Sequence, residues 1–129
     1  MFTVGQDSIR VDVSNPHATI YTHLYFLQSE SYEPKKAAQT IVGLSEEKAI
    51  EKAIRIKQVL DGKGLFVDVN KIPTNPSYKD TIGYSSYFRY VLFPQRMPQI
   101  YLEKIGNNWY YSSETVVKIE DLYKEIFPC

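Results

Sequence analysis

Residues 99–116 read QIYLEKIGNNWYYSSETV, a strand, a tight turn, a second strand and a helix start in immediate succession. Ile100, Leu102 and Ile105 supply the apolar side of the first strand, and Gly106-Asn107-Asn108 tolerates the positive φ that hairpin turns need. Trp109-Tyr110-Tyr111 resumes as a strand, after which Ser112 or Ser113 can cap a helix through its hydroxyl. Trp109 is the only tryptophan, and a packed Trp buries more apolar surface than any other side chain, so this stretch reads as a fold nucleus. Outward to the C-terminus, Glu114–Phe127 reads as a closing helix with Val116, Val117, Ile119, Leu122, Tyr123 and Ile126 on its buried side. Outward to the N-terminus, Gln95-Arg96-Met97-Pro98 leads back to Tyr87–Phe93, a β-rich run ended by Pro94. In that run Arg89 faces away from Phe88 and Tyr90.

Further back the pattern turns helical. Asn15 can cap and Pro16 suits the first helical position. His17–Gln28 then places Ile20, Leu24 and Leu27 at helical spacing, with Tyr21, Tyr25 and Phe26 beside them. Pro34 restarts the chain for a short helix over Lys35–Val42, with Ala37, Ala38 and Ile41 inward and Gly43 as its stop. Ser45 caps a third helix whose first turn carries Glu46 and Glu47, favourable against the helix dipole. Its inward face is Ala49, Ile50, Ala53, Ile54, Ile56, Lys57 and Leu60, and Asp61-Gly62-Lys63-Gly64 ends it. Leu65–Val69 is a strand candidate. Lys71–Ser85, with Pro73, Asn75, Pro76 and Gly83, reads as a long surface loop. Val11 and Val13 permit a short strand in a peripheral segment, residues 1–13. The expectation is one α+β domain over 14–128: three N-terminal helices, a small mainly antiparallel sheet with a hairpin at 99–112, and a C-terminal helix.

The chain has 129 residues, enough for a core without staples, and 43% of them are apolar, which argues against disorder. Fifteen basic residues balance fifteen acidic ones, which argues against non-specific nucleic-acid binding and against a polybasic membrane-surface module. The single cysteine, Cys129, cannot form an internal disulfide. No run approaches the length of a membrane span, and Met1-Phe2-Thr3-Val4-Gly5 lacks the features of an export signal.

No chemistry accumulates on the motifs. His17 and His23, six apart on one helix, are rotated by about 240° and do not point at one metal. Both read as capping or helix-surface residues, and no metal or cofactor is expected. Asp61-Gly62-Lys63-Gly64 follows a helix and precedes a strand, the reverse of a phosphate-binding loop. Ser112-Ser113-Glu114 lacks the elbow and partner histidine of a nucleophile. Tyr84, Tyr87, Phe88, Tyr90 and Phe93, with Arg89 and Arg96 nearby, resemble the aromatic-plus-basic sheet of single-strand RNA binders, but the glycine-flanked pattern is missing and the net charge is zero. Tyr84, Tyr87, Arg89 and Arg96 remain as a candidate interaction surface. No catalytic residue is expected, and the chain reads as no enzyme.

Two blocks carry a family likeness. One is NPHATIYTHLYFLQSESYEPKKAA at 15–38. The other is VLDGKGLFVDVNKIPTNPSY at 59–78 together with RYVLFP at 89–94 and QIYLEKIGNNWYYSSETVVKIEDLYKEIFP at 99–128. Together they resemble the N-terminal extracytoplasmic region of mechanosensitive ion channel (MscS-like) family proteins, of the Bacteroidetes type. The most specific part is Trp109-x-Tyr111-Ser112-x-x-Thr115-Val116, followed by Ile119 and Leu122-Tyr123. The resemblance implies a non-catalytic sensing or assembly domain outside the cytoplasmic membrane, attached to the inner membrane in the full-length protein. Its partners would be other domains or subunits of the channel, with homo-oligomers as a further option, no nucleic acid, and no membrane insertion by this segment. Other classes stay open: a free-standing peptide- or glycan-binding module using the Tyr-rich sheet and the 71–85 loop, a small enzyme, and a cytoplasmic location.

Overall fold

A computed structural model describes residues 9–82 and 84–128. Helix α1 (Pro16–Tyr25) begins where Asn15 accepts from the Ala18 amide at 2.8 Å and Pro16 takes the first turn. A four-residue α2 (Pro34–Ala37) and the long α3 (Glu46–Gly62) follow, with Ser45 capping α3. β1 (Asp80–Ile82) and β2 (Ser85–Tyr87) form one antiparallel pair. β3 (Arg89–Phe93), β4 (Met97–Ile105) and β5 (Asn108–Tyr111) form a three-stranded antiparallel meander, and α4 (Ser113–Ile126) closes the chain. The molecule is α+β, as the order of patterns predicted.

The core lies between one face of the meander and the helices. Alternation along β4 puts Ile100 and Leu102 inside, and β5 adds Trp109 and Tyr111 beside them. Ile20 of α1, Ala53 and Ile56 of α3, and Ile119 of α4 meet this face, all fully buried. Trp109 is anchored at both ends, its amide to the Val13 carbonyl at 2.7 Å and its indole N–H to the Pro76 carbonyl at 2.9 Å. A large side chain held at one orientation fixes where the first helix and the 73–79 loop cross the sheet.

Several local expectations change. Leu65–Val69 is not a strand: it is irregular chain running into a single 3₁₀ turn (Val69–Lys71), because the Asp68 carboxylate accepts the Asn70 amide at 3.1 Å and turns the chain. The helix expected over Lys35–Val42 stops being α-helical at Ala37 and continues as a 3₁₀ turn (Ala38–Thr40), where the Thr40 hydroxyl bonds back to the Ala37 carbonyl at 2.8 Å. Tyr87–Phe93 is two strands separated at Phe88, and the 71–85 loop contains β1. Val117 faces solvent, 74% exposed. His23 is fully buried, not a surface residue.

The segment expected to be peripheral is, over its described part, joined to the core. Residues 9–13 form no ladder, yet Ile9 and Val11 pack on the core. Asp12 and Thr22 exchange two hydrogen bonds, the Asp12 amide donating to the Thr22 hydroxyl and that hydroxyl donating to the Asp12 carbonyl, both at 3.0 Å. Residues 1–8 lie outside the described residues.

Candidate interaction face

The solvent side of the meander is built by the same alternation that builds the core. Arg89, Tyr101 and Glu103 lie opposite in phase to Tyr90, Leu102 and Ile100, and the register sets Arg89 across from Glu103. Chain entry from β2 places Tyr87 and Phe88 at the same edge. The result is an open cleft of about 500 Å³ lined by Tyr87, Phe88, Arg89, Tyr101, Glu103 and Lys104.

Its chemistry is cations over aromatic rings. The Arg89 guanidinium sits 5.2 Å from the centre of the Tyr101 ring and 6.0 Å from that of Tyr87. It also pairs with Asp80 of β1 at 3.3 Å. Its Nε is buried without a hydrogen-bond partner among the described residues. Lys79 and Lys104 bring their ammonium groups to 4.8 and 4.9 Å from the Phe88 ring. Such contacts contribute about 0.5–1 kcal/mol at exposed sites and more where a ligand excludes water. The Tyr101 hydroxyl donates to Glu114 at 2.6 Å. Desolvation, and then that hydrogen bond, hold the phenol above its ordinary range, while the same bond holds Glu114 below the usual carboxylate range. The face therefore keeps Tyr101 protonated and Glu114 ionised at neutral pH.

Of the four sequence candidates, the structure brings two together. Tyr87 and Arg89 share the cleft. Tyr84 stands fully exposed at the tip of the β1–β2 hairpin, and Arg96 lies in the turn at the far end of β3, its Nη2 reaching the Lys63 carbonyl at 3.5 Å. Tyr101, Lys79 and Lys104 belong to the face and escaped sequence reading. The β3–β4 register, which sets Glu103 opposite Arg89 and Tyr101 opposite Val91, is the signal that finds Tyr101.

The remaining motifs are occupied structurally. His17 Nδ1 meets the Val69 carbonyl at 2.7 Å. His23 donates from Nε2 to the Ala53 carbonyl at 2.8 Å, which leaves Nδ1 to accept the Tyr111 hydroxyl at 2.7 Å. Burial pulls His23 down from 6.5 to about 4 and pushes Tyr111 up. This pair is sealed from solvent, with both rings in edge-to-face contact. Ser112 caps α4 by accepting the Thr115 amide at 3.0 Å. Among the described residues no group of three or more His, Cys, Asp or Glu side chains is placed to hold a metal ion, and no helix is long and apolar enough to cross a membrane. No protein-family model matches the chain, and neither a curated protein nor a solved structure matches it.

Proposed function

We propose that this chain is a non-catalytic sensing or assembly domain of an MscS-like channel protein, working outside the cytoplasmic membrane and contacting other domains or subunits of that protein. The reading comes from the sequence likeness in residues 15–38, 59–78, 89–94 and 99–128. The structural observation that favours recognition over chemistry is the outer cleft. There Tyr87, Phe88 and Tyr101 present rings beside Arg89, Lys79 and Lys104, an arrangement suited to holding a partner surface. The buried titratable pair, His23 with Tyr111, is by contrast enclosed and bonded to itself and to backbone.

The test is topological. In cells of the source organism, an antibody raised against this domain detects its protein in the inner-membrane fraction. Protease admitted through a permeabilised outer membrane removes the epitope while a cytoplasmic control survives. Recovery of the epitope in the cytosol, resistant to that protease, overturns the reading. The alternative of a free-standing peptide- or glycan-binding module draws on the same cleft. It predicts a freely soluble periplasmic or cytosolic protein that retains glycan or peptide ligands on an array, with binding lost in Arg89→Ala.

A further inference from the structure

The register of β3 on β4 sets Arg89 directly across from Glu103, a position where opposite charges ordinarily pair. Here no ion pair joins them. Glu103 instead turns its Oε2 to the Ser113 amide in the first turn of α4, at 3.3 Å. Among the described residues Arg89 has one charged partner, Asp80, reached through Nη2 at 3.3 Å. Its Nε is buried without any hydrogen-bond partner among those residues. A buried N–H left without an acceptor is costly, and native proteins seldom keep one without a reason.

The guanidinium lies in the outer cleft, within 5.2 Å of the Tyr101 ring centre and 6.0 Å of that of Tyr87, both of which line it. A guanidinium resting on rings keeps its planar N–H fork open to a carboxylate, which it grips with two parallel bonds. Lys104 lines the same cleft, and Lys79 reaches the ring of Phe88, another lining residue. Neither ammonium makes an ion pair among the described residues. Lys79, Arg89 and Lys104 therefore stand against two carboxylates, Asp80 and Glu103. Glu114, bonded to the Tyr101 hydroxyl, has its own cation in Lys118 at 3.4 Å. The surplus is a single positive charge. It matches one carboxylate, whereas the serial phosphates of a nucleic acid would set further charges against Asp80, Glu103 and Glu114.

We propose, building on the reading of this face as a partner surface, that the outer cleft receives one acidic side chain of a partner protein, a Glu or Asp flanked by aromatic or aliphatic residues. Arg89 holds the carboxylate through its unused N–H groups, and Lys104 supplies a second charged donor. The rings of Tyr87, Phe88 and Tyr101 cover the apolar neighbours of that residue. Asp80 and Glu103 act in the opposite sense and turn away segments with several acidic residues in succession.

The probe is the blocked peptide acetyl-Gly-Phe-Glu-Phe-Gly-amide, titrated into the full chain with backbone amide chemical shifts as the readout. The amides of Arg89, Tyr101 and Lys104 move together and saturate, with a Kd below about 10 mM. Replacing the central Glu by Gln raises that Kd about tenfold or more. Arg89→Gln brings the Kd for the Glu peptide up to that for the Gln peptide. Because Arg89→Gln also breaks the pair with Asp80, Lys104→Gln is the second variant. It raises the Kd for the Glu peptide about threefold or more and leaves the urea midpoint read by Trp109 fluorescence unchanged. At equal ionic strength tripolyphosphate displaces the Glu peptide no better than acetate does. Equal affinity for the Glu and Gln peptides overturns the carboxylate site and leaves the partner surface standing, whereas the absence of any shift on this face overturns both. Stronger displacement by tripolyphosphate than by acetate, or indifference to both variants, also overturns the carboxylate site.

Discussion

His23 lies wholly inside the protein with both ring nitrogens engaged, one by the Ala53 carbonyl and one by the Tyr111 hydroxyl. Protonation would leave the ring with two donors, so the Tyr111 oxygen would have to accept, inside a site that already disfavours charge. Desolvation is the main cause of the fall from 6.5 to about 4. The Ala53 carbonyl opposes it, nearby Lys57 on α3 adds to it and Asp61 on α3 opposes it. The folded value lies below the unfolded one, so the unfolded chain takes up the proton first as pH falls. Stability from this residue is intact above pH 6.5, declines between 6.5 and 4, and is fully lost below, a loss on the order of 3 kcal/mol. A glutamine side chain can donate to Ala53 and accept from Tyr111 without titrating. The difference in urea midpoint between the wild type and His23→Gln therefore changes across that window; a constant difference refutes the burial argument. Tyr111→Phe leaves the His23 acceptor unpartnered and costs about 1–3 kcal/mol, read as a lower urea midpoint at unchanged slope. Sequence reading put His23 on the helix surface. The rotation between His17 and His23 shows that they diverge, but not which of them turns inward. What decides is Ala53 on a helix thirty residues away, whose small side chain lets an imidazole reach its carbonyl.

One hydroxyl in the first turn of helix α4 bonds to the backbone of β4 at two places. Thr115 Oγ1 accepts the Tyr101 amide at 3.0 Å, donates to the Gln99 carbonyl at 2.8 Å, and lies 2.8 Å from the Ser112 hydroxyl that caps the helix. Thr115→Val keeps the shape and removes all three contacts, leaving polar backbone of β4 unsatisfied, for a loss of about 2 kcal/mol. Ser112→Ala removes the cap, a loss of about 1 kcal/mol. Because the two share one network, the double variant loses less than the sum. Urea denaturation of the four proteins measures this directly, and strict additivity contradicts a shared network. The cap was legible, since Ser112 precedes the helical pattern. The second role of Thr115 was not, because it depends on β4 passing beside the helix start. Gly62 shows the same limit. It reads as part of the stop after α3, yet it is the last residue of the helix, where a Cβ would lie 2.7 Å from Ile126 Cγ2. The residue that turns the chain is Gly64, at φ +68°. The α3–α4 crossing gives Gly62 its role, and local pattern carries no record of that crossing.

At the scale of the molecule, the order of helices and strands was legible because each element carries its own period and its own cap. The route of Leu65–Ile72 was not, since a short apolar run becomes a strand only if a neighbour offers its backbone, and β3 does not pair with it. This division has a dynamic consequence. One continuous core joins α1, α3 and α4 to the inner face of β3–β5, with Trp109 at its centre. The β1–β2 pair shares no ladder with that sheet, and Ser85, Ser86 and Tyr87 are all exposed. A two-stranded ribbon alone is marginal in water, held here by the Asp80–Arg89 ion pair, which contributes about 1 kcal/mol or less. Hydrogen exchange should therefore separate two classes. Amides of β4, β5 and the middle of α3 exchange only through global unfolding, whereas those of β1 and β2 exchange through local opening several kcal/mol cheaper, in the range of about 0–3 kcal/mol. Trp109 fluorescence and helical circular dichroism should meanwhile fall together in urea, because the indole and the helices share one core. Arg89→Met, which removes the ion pair and keeps the side chain's length, speeds exchange in β1 and β2 without moving that common transition. If β1 and β2 are as protected as β4, or if fluorescence and dichroism part company, then the hairpin and the core are not divided along the line between Tyr87 and Arg89.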